Sequence, residues 1–374
     1  MARALTAFFA CASALLSAQS VNTWPESTPE QQGVDSADLS RLLQYIREER
    51  NEIDSLVVIR HGQLILETYY HGYTRDQPHI LNSVTKSFVS ALTGIAIHDG
   101  FIASDRSKIS EWFPEKPAIE VQHLLSMTSG IDWPQTASVN ASRDMDRSPN
   151  WVQFILARPM AAAPGSKSNY SNGDAHLLAA VLQRATGEDV LEFATKRLFQ
   201  PLGIPQPRWD RDPQGVNIGS ATIYMTPRDM VKLGQLYLKE GAWQGQQIVP
   251  ADWVRKSLER HTGVVISKGI ADYGYFWWLY PKLGMFEAWG GAGQRIAVFR
   301  DLDLLVAMTA NISDDTPVSS FSQEVYRRIV NAAKSPSSLP ENRAAEAELQ
   351  RADGAPSARE LLPEAVFERR EGRP

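Results

Sequence analysis

The stretch Leu81–Gly100, LNSVTKSFVSALTGIAIHDG, constrains the fold more than any other. Val84, Phe88, Val89, Leu92, Ile95 and Ala96 recur at helical spacing and line one broad face. A helix apolar over so much of its girth belongs inside the protein, wrapped by other elements. At its mouth stand Ser83 and Lys86, three residues apart and therefore on one face. Alone, a serine and a lysine at this spacing make an everyday helix start. In desolvated surroundings, however, a lysine loses basicity. It can then accept a proton from a neighbouring hydroxyl.

Strand-like segments lie on both sides of a helical middle. Leu56–Ile59 and Leu64–Leu66 flank a turn at Gly62 and read as a buried hairpin. Residues 101 to 260 are mostly helical and loop-rich. Strand character returns at Tyr273–Tyr280, Ile296–Phe299 and Leu304–Thr309. The pattern implies a discontinuous α/β lobe built from 19–100 and 262–336, with an inserted helical lobe at 101–261 and a cleft between them. Residues 337–374 carry many charges and prolines and one aromatic, Phe367. That composition predicts a tail too poor in apolar surface to order itself.

The first 18 residues combine Arg3 with an alanine-rich apolar run ending in small residues, the pattern of an export signal. The chain is therefore expected to be exported, to a periplasm or to the medium, with no stable membrane insertion once the signal is cleaved. Cys11, the one cysteine, falls inside that segment, so the mature chain would have neither disulfide nor thiolate. A net charge of −5 gives no electrostatic footprint for nucleic acid. The seven histidines show no metal-ligand spacing, and neither metal nor cofactor is implied. Oligomeric state is not readable.

Two further stretches give Ser83 and Lys86 a context. NYSNGD places Tyr170 two residues before Asn172, ahead of an amphipathic helix. AWGGAGQRIAVF is a glycine-rich turn feeding a strand, and its bare backbone can approach a ligand and offer an N–H. With these three motifs in this order, the chain resembles the serine β-lactamase and penicillin-binding-protein superfamily over roughly Val34 to Ala333. Within it the resemblance is to class C-like branches: carboxylesterases of the β-lactamase type and the 6-aminohexanoate-dimer hydrolase group. The resemblance implies an α/β (α+β) transpeptidase-like fold, an antiparallel sheet flanked by helices. It implies that Ser83 is the acylated nucleophile, that Lys86 and Tyr170 share the base work, and that Asn172 supports them. The N–H groups of Ser83 and Ala292 would form the oxyanion hole.

The third motif departs from the penicillin-processing pattern. Trp289-Gly290-Gly291 stands where a cation and hydroxyl usually hold a substrate carboxylate, and an indole supplies no charge. Neutral esters lose nothing by the change. Arg295 is a candidate replacement cation, and Gln294 keeps an amide-hydrolase reading open. Trp133, Trp277 and Trp278 are candidates for the wall of a small-molecule ester or amide site. The favoured expectation is a carboxylesterase. An amide hydrolase, a β-lactamase or D-Ala-D-Ala carboxypeptidase, and a non-catalytic acyl-binding protein remain as alternatives.

Overall fold

The computed structural model describes residues 24–353 apart from 49–51, 137, 206, 267–268 and 313–319. The expected signal segment and Cys11 lie outside the described residues. The first helix, α1 (Ser36–Glu48), leads into a hairpin of β1 (Ile53–Arg60) and β2 (Gln63–Tyr69). A two-residue strand, β3 (His79–Ile80), precedes the apolar helix α2 (Thr85–His98). The middle of the chain contributes α3 (Val121–Leu125), α4 (Ala141–Asp146), α5 (Trp151–Ala157), α6 (Asn172–Thr186) and α7 (Val190–Ala194). Short strands β4 (Arg208–Trp209) and β5 (Ile223–Met225) follow, then α8 (Pro227–Leu238), the hairpin of β6 (Ala242–Trp243) and β7 (Gln246–Gln247), and α9 (Ala251–Ser257). The chain closes with β8 (Thr262–Ile266), β9 (Gly269–Tyr273), β10 (Trp278–Tyr280), β11 (Met285–Gly290), β12 (Gln294–Phe299) and β13 (Leu304–Ala310), then α10 (Ser320–Ala332) and α11 (Arg343–Asp353).

Eight strands form one antiparallel sheet in the order β2-β1-β13-β12-β11-β10-β9-β8. The early hairpin thus pairs with the last strand, as the split strand pattern implied. Alternation then sorts the side chains. Val57, Ile59, Ile296, Val298 and Ala307 face one core with α2 and α8, whereas Leu56, Val58, Ala297, Phe299 and Val306 face a second core with α1 and α10. On α2, every residue from Thr85 to Ala96 is buried, which is the wrapping its composition demanded. The division of the chain is less clean than strand positions suggest: α8 comes from the middle segment but packs on β12 and β13.

Two expectations require correction. The predicted tail begins as an ordered element: α11 packs on α1, burying Ala345 and Leu349, two apolar residues at helical spacing. Residues 354–374 lie outside the described residues. Arg295 does not replace the missing cation. It alternates onto the second core, fully buried, with its guanidinium 3.1 Å from both carboxylate oxygens of Glu287. Tyr280 and Tyr326 donate to the same carboxylate at 2.8 and 3.0 Å, so strand parity turned Arg295 into half of a buried pair. Replacing Arg295 by Met strands a buried carboxylate, and should cost about 3–5 kcal/mol of stability. Urea unfolding of Arg295→Met at neutral pH checks this; wild-type stability would show that the pair does not hold β11 to β12.

Candidate active site

Three backbone events bring the motifs together. Asn82–Val84 form a 3-10 turn ahead of α2, with Asn82 in the left-handed region at φ 45°. Ser83 therefore precedes the α-helix proper instead of occupying its first turn. Leu81 donates its N–H to Ile223 O at 2.8 Å, and β3 pairs with β5, so the loop ending at Ser220 lies beside the start of α2. On the other side, the Asn82 side chain donates to Gly291 O at 2.8 Å. Gly290 sits so close that a Cβ there would stand 2.5 Å from Leu81 O and 3.0 Å from Ser83 N.

Lys86 is the centre of the polar contacts. Its ammonium lies 2.7 Å from Ser83 Oγ, 2.9 Å from Asn172 Oδ1 and 2.9 Å from Ser220 O. The side chain is 1% exposed, and burial alone pushes the amine down to about 7. A neutral amine has two N–H bonds and one lone pair. The two fixed carbonyl oxygens take the hydrogens, which leaves the lone pair for the Ser83 hydroxyl. Ser220 was not anticipated, because a backbone acceptor carries no mark in the sequence.

Asn172 opens α6, whose N-cap is Ser171. Its amide donates to Ser142 Oγ at 3.1 Å, which directs the carbonyl oxygen at Lys86. Tyr170 is half-buried, with its ring centroid 5.0 Å from Lys86 Nζ. Burial pushes its phenol up to about 12, the neighbouring Ser83 hydroxyl opposing the rise. The phenol nevertheless closes no hydrogen bond among the described residues. The ring stacks on Trp278 at 5.8 Å and meets Tyr273 edge-on at 6.4 Å. The loop ahead of it hangs from Met127, whose carbonyl accepts from Asn169 N at 2.8 Å. Nearby, Ser129 donates to buried Asp174 at 2.7 Å; burial raises that carboxyl to about 7.

Across the cleft, Ala292 occupies the left-handed region at φ 66°, an uncommon conformation for a residue with a Cβ. Neither its N–H nor that of Ser83 is taken by a hydrogen bond among the described residues. A family model described as Beta-lactamase matches residues 43–326. The chain belongs to that family. Among curated relatives, it is 25% identical over 224 residues to a 6-aminohexanoate-dimer hydrolase of Paenarthrobacter ureafaciens, covering 55% of this chain and 57% of the relative. It is 27% identical over 205 residues to Esterase EstB of Burkholderia gladioli, covering 46% and 52%. The chain thus spans little more than half the length of these two relatives. The octameric penicillin-binding protein homologue from Pyrococcus abyssi shares the fold at TM-score 0.64 and 20% identity, over 81% of this chain and 79% of that one.

The remaining candidate residues of this Beta-lactamase family member separate by position. Trp289 is half-buried beside the paired glycines and meets Trp278 edge-on at 5.8 Å. Trp278 itself is buried, so it backs Tyr170 and Trp289 instead of walling a pocket. Trp277 points into the core against Tyr237 and Phe286, and Trp133 is buried beside Gly173 with its N–H on Ser142. Gln294 donates to Ala310 O at 2.6 Å, which ties the glycine turn to β13. The close approach at Gly290 makes that position intolerant of a side chain. Gly290→Ala should cost about 1–3 kcal/mol by overpacking against backbone, measured by denaturant unfolding. Unchanged stability would mean that the turn stands further from Ser83 than described.

Proposed function

We propose that this chain is a serine hydrolase working through an acyl-enzyme, with neutral carboxylic esters as substrates. The observation that carries the reading is the Lys86 amine: buried, lowered to about 7 without a carboxylate partner, and 2.7 Å from Ser83 Oγ. Ser83 Oγ attacks the ester carbonyl while Lys86 takes its proton. The carbonyl oxygen, now an alkoxide, is held by the N–H groups of Ser83 and Ala292. Tyr170 cannot begin as a phenolate, because burial keeps its phenol neutral. It serves as the acid instead. Tyr170 donates its proton to the leaving alkoxide as the C–O bond breaks, and Lys86 ammonium restores it. Water then attacks the acyl-serine by the reverse relay, releasing the acid and Ser83.

Trp289 supports the choice of neutral substrates. An indole at this position offers an apolar face and one donor, where a carboxylate-bearing substrate needs a cation. Arg295, turned into the second core, does not supply one. The likeness to a 6-aminohexanoate-dimer hydrolase supports a second reading, amide hydrolysis, in which Tyr170 protonates an amine leaving group.

Ser83→Ala should abolish hydrolysis of a p-nitrophenyl short-chain ester, and Tyr170→Phe should lower kcat by about 10²–10⁴ for want of the acid. Wild-type kcat in either folded variant sinks the mechanism. Lys86 works as a base only when neutral, so kcat/KM should rise with pH through about 7 and level off above it. A flat profile between pH 5 and 9, measured at about constant ionic strength, would remove Lys86 from the role of base.

A further inference from the structure

Asn82 stands in the left-handed region at φ 45°, a conformation that asparagine enters more readily than most residues with a Cβ. From that turn its main chain and its side chain reach different elements. The Asn82 carbonyl accepts from Thr85 N–H as the 3-10 turn passes into α2. A trans peptide sets its C=O and its N–H in opposite directions. No peptide among the described residues is cis, so a carbonyl drawn toward Thr85 turns the Ser83 N–H away from α2.

The same construction recurs on the glycine turn. Asn82 Nδ2 donates to Gly291 O at 2.8 Å, and that carbonyl shares a peptide with the Ala292 N–H. Fixing the oxygen therefore aims the N–H away from the Asn82 side chain. Packing does not do this work, since a Cβ on Gly291 would meet nothing within 4 Å. The bond from Ile312 N to Ala292 O, at 3.0 Å, holds the next peptide along. We infer that Asn82 is the positioning residue of the oxyanion site, its main chain setting the Ser83 N–H and its side-chain amide setting the Ala292 N–H. The inference rests on the acyl-enzyme reading, in which those two groups receive the alkoxide. Asparagine answers both demands. Glycine would accept the backbone angle but has no side-chain donor, and aspartate would keep the shape but set a carboxylate oxygen against a carbonyl.

Two variants of the full chain, Asn82→Gly and Asn82→Asp, test it on a p-nitrophenyl short-chain ester and on the thionoester with sulfur for the carbonyl oxygen. Outright loss of an oxyanion donor costs about 10²–10³ in kcat, so a donor left in place but unaimed should cost about tenfold or more. The thionoester should lose much less, because sulfur accepts hydrogen bonds weakly. A change that merely disturbed the start of α2 would slow both substrates alike and would move the pH midpoint set by Lys86. In Asn82→Gly that midpoint should stay where the wild type has it. Asn82→Asp keeps the side-chain shape and should lose at least as much on the ester, so the test survives a glycine variant that fails to fold. The inference falls if the folded variants hydrolyse the ester like the wild type. It falls equally if ester and thionoester decline together, or if the Asn82→Gly midpoint moves. A wild type that turns over neither substrate, or a Ser83→Ala variant as active as the wild type, overturns the Ser83 reading itself, and this inference with it.

Discussion

An amine without a carboxylate organises this molecule. Lys86 is enclosed by the 3-10 turn ahead of α2, the Ser220 loop and the start of α6, and each supplies an oxygen: Ser83 Oγ, Ser220 O and Asn172 Oδ1. Had an aspartate stood among them, Coulomb attraction would have raised the amine and kept it charged. Neutral oxygens instead give direction without charge. Burial then lowers basicity while the hydrogen bonds fix the lone pair. The surroundings repeat the logic, since Asn172 is oriented by Ser142, and Ser142 also accepts from Trp133. Buried tryptophans thus support the site from behind.

The sheet meets this arrangement at one narrow point. β11 arrives at Gly290, and only a residue without a Cβ can stand against Leu81 and Ser83. β10 pairs with β11 no further than Trp278 opposite Glu287, so Ala288–Gly290 extend beyond that partner strand. Below, the Glu287–Arg295 pair crosses from β11 to β12 in an apolar core, with two tyrosine hydroxyls completing the carboxylate. A buried pair of this kind adds little net stability, but breaking it is expensive. It therefore resists slippage of β11 against β12. A shift by one residue would move Gly290 from Ser83 and put charge on the wrong face.

The three motifs were legible only jointly: Ser83 and Lys86 alone read as an everyday helix start, and Tyr170–Asn172 and the glycine pair, in that order along the chain, gave them a context. A lysine in an apolar helix, a tyrosine ahead of a helix cap and a glycine pair ahead of a strand are all visible as sequence patterns. The discontinuous sheet was legible from where β-rich runs stood along the chain. What failed were questions of facing. Arg295 and Gln294 are adjacent, and parity sends them to opposite cores; nothing in their types says which. The tryptophans failed likewise. Trp277 and Trp278 occupy opposite environments, one against Tyr237 and the other behind Tyr170. Composition misjudged α11, because averaging over residues 337–374 hid an amphipathic turn that needed only α1 to pack on. The Ser220 carbonyl had no signal to find.

The chemistry assigned to Ser83 is also a property of the finished fold and not of its motif. β1 cannot gain its second neighbour until β13, some 240 residues further along the chain, has been made and pairs with it. The glycine turn joins that late set of strands, and Gln294 binds it to β13. Contacts so distant in sequence form late, because the loop entropy must be overcome first. Until the segments carrying Asn172 and Ser220 close over it, Lys86 is wet, and a wet lysine is protonated at neutral pH. A serine beside an ammonium has no proton acceptor. On the mechanism proposed above, Lys86 would couple the reactivity of Ser83 to completion of the fold around α2, through its burial.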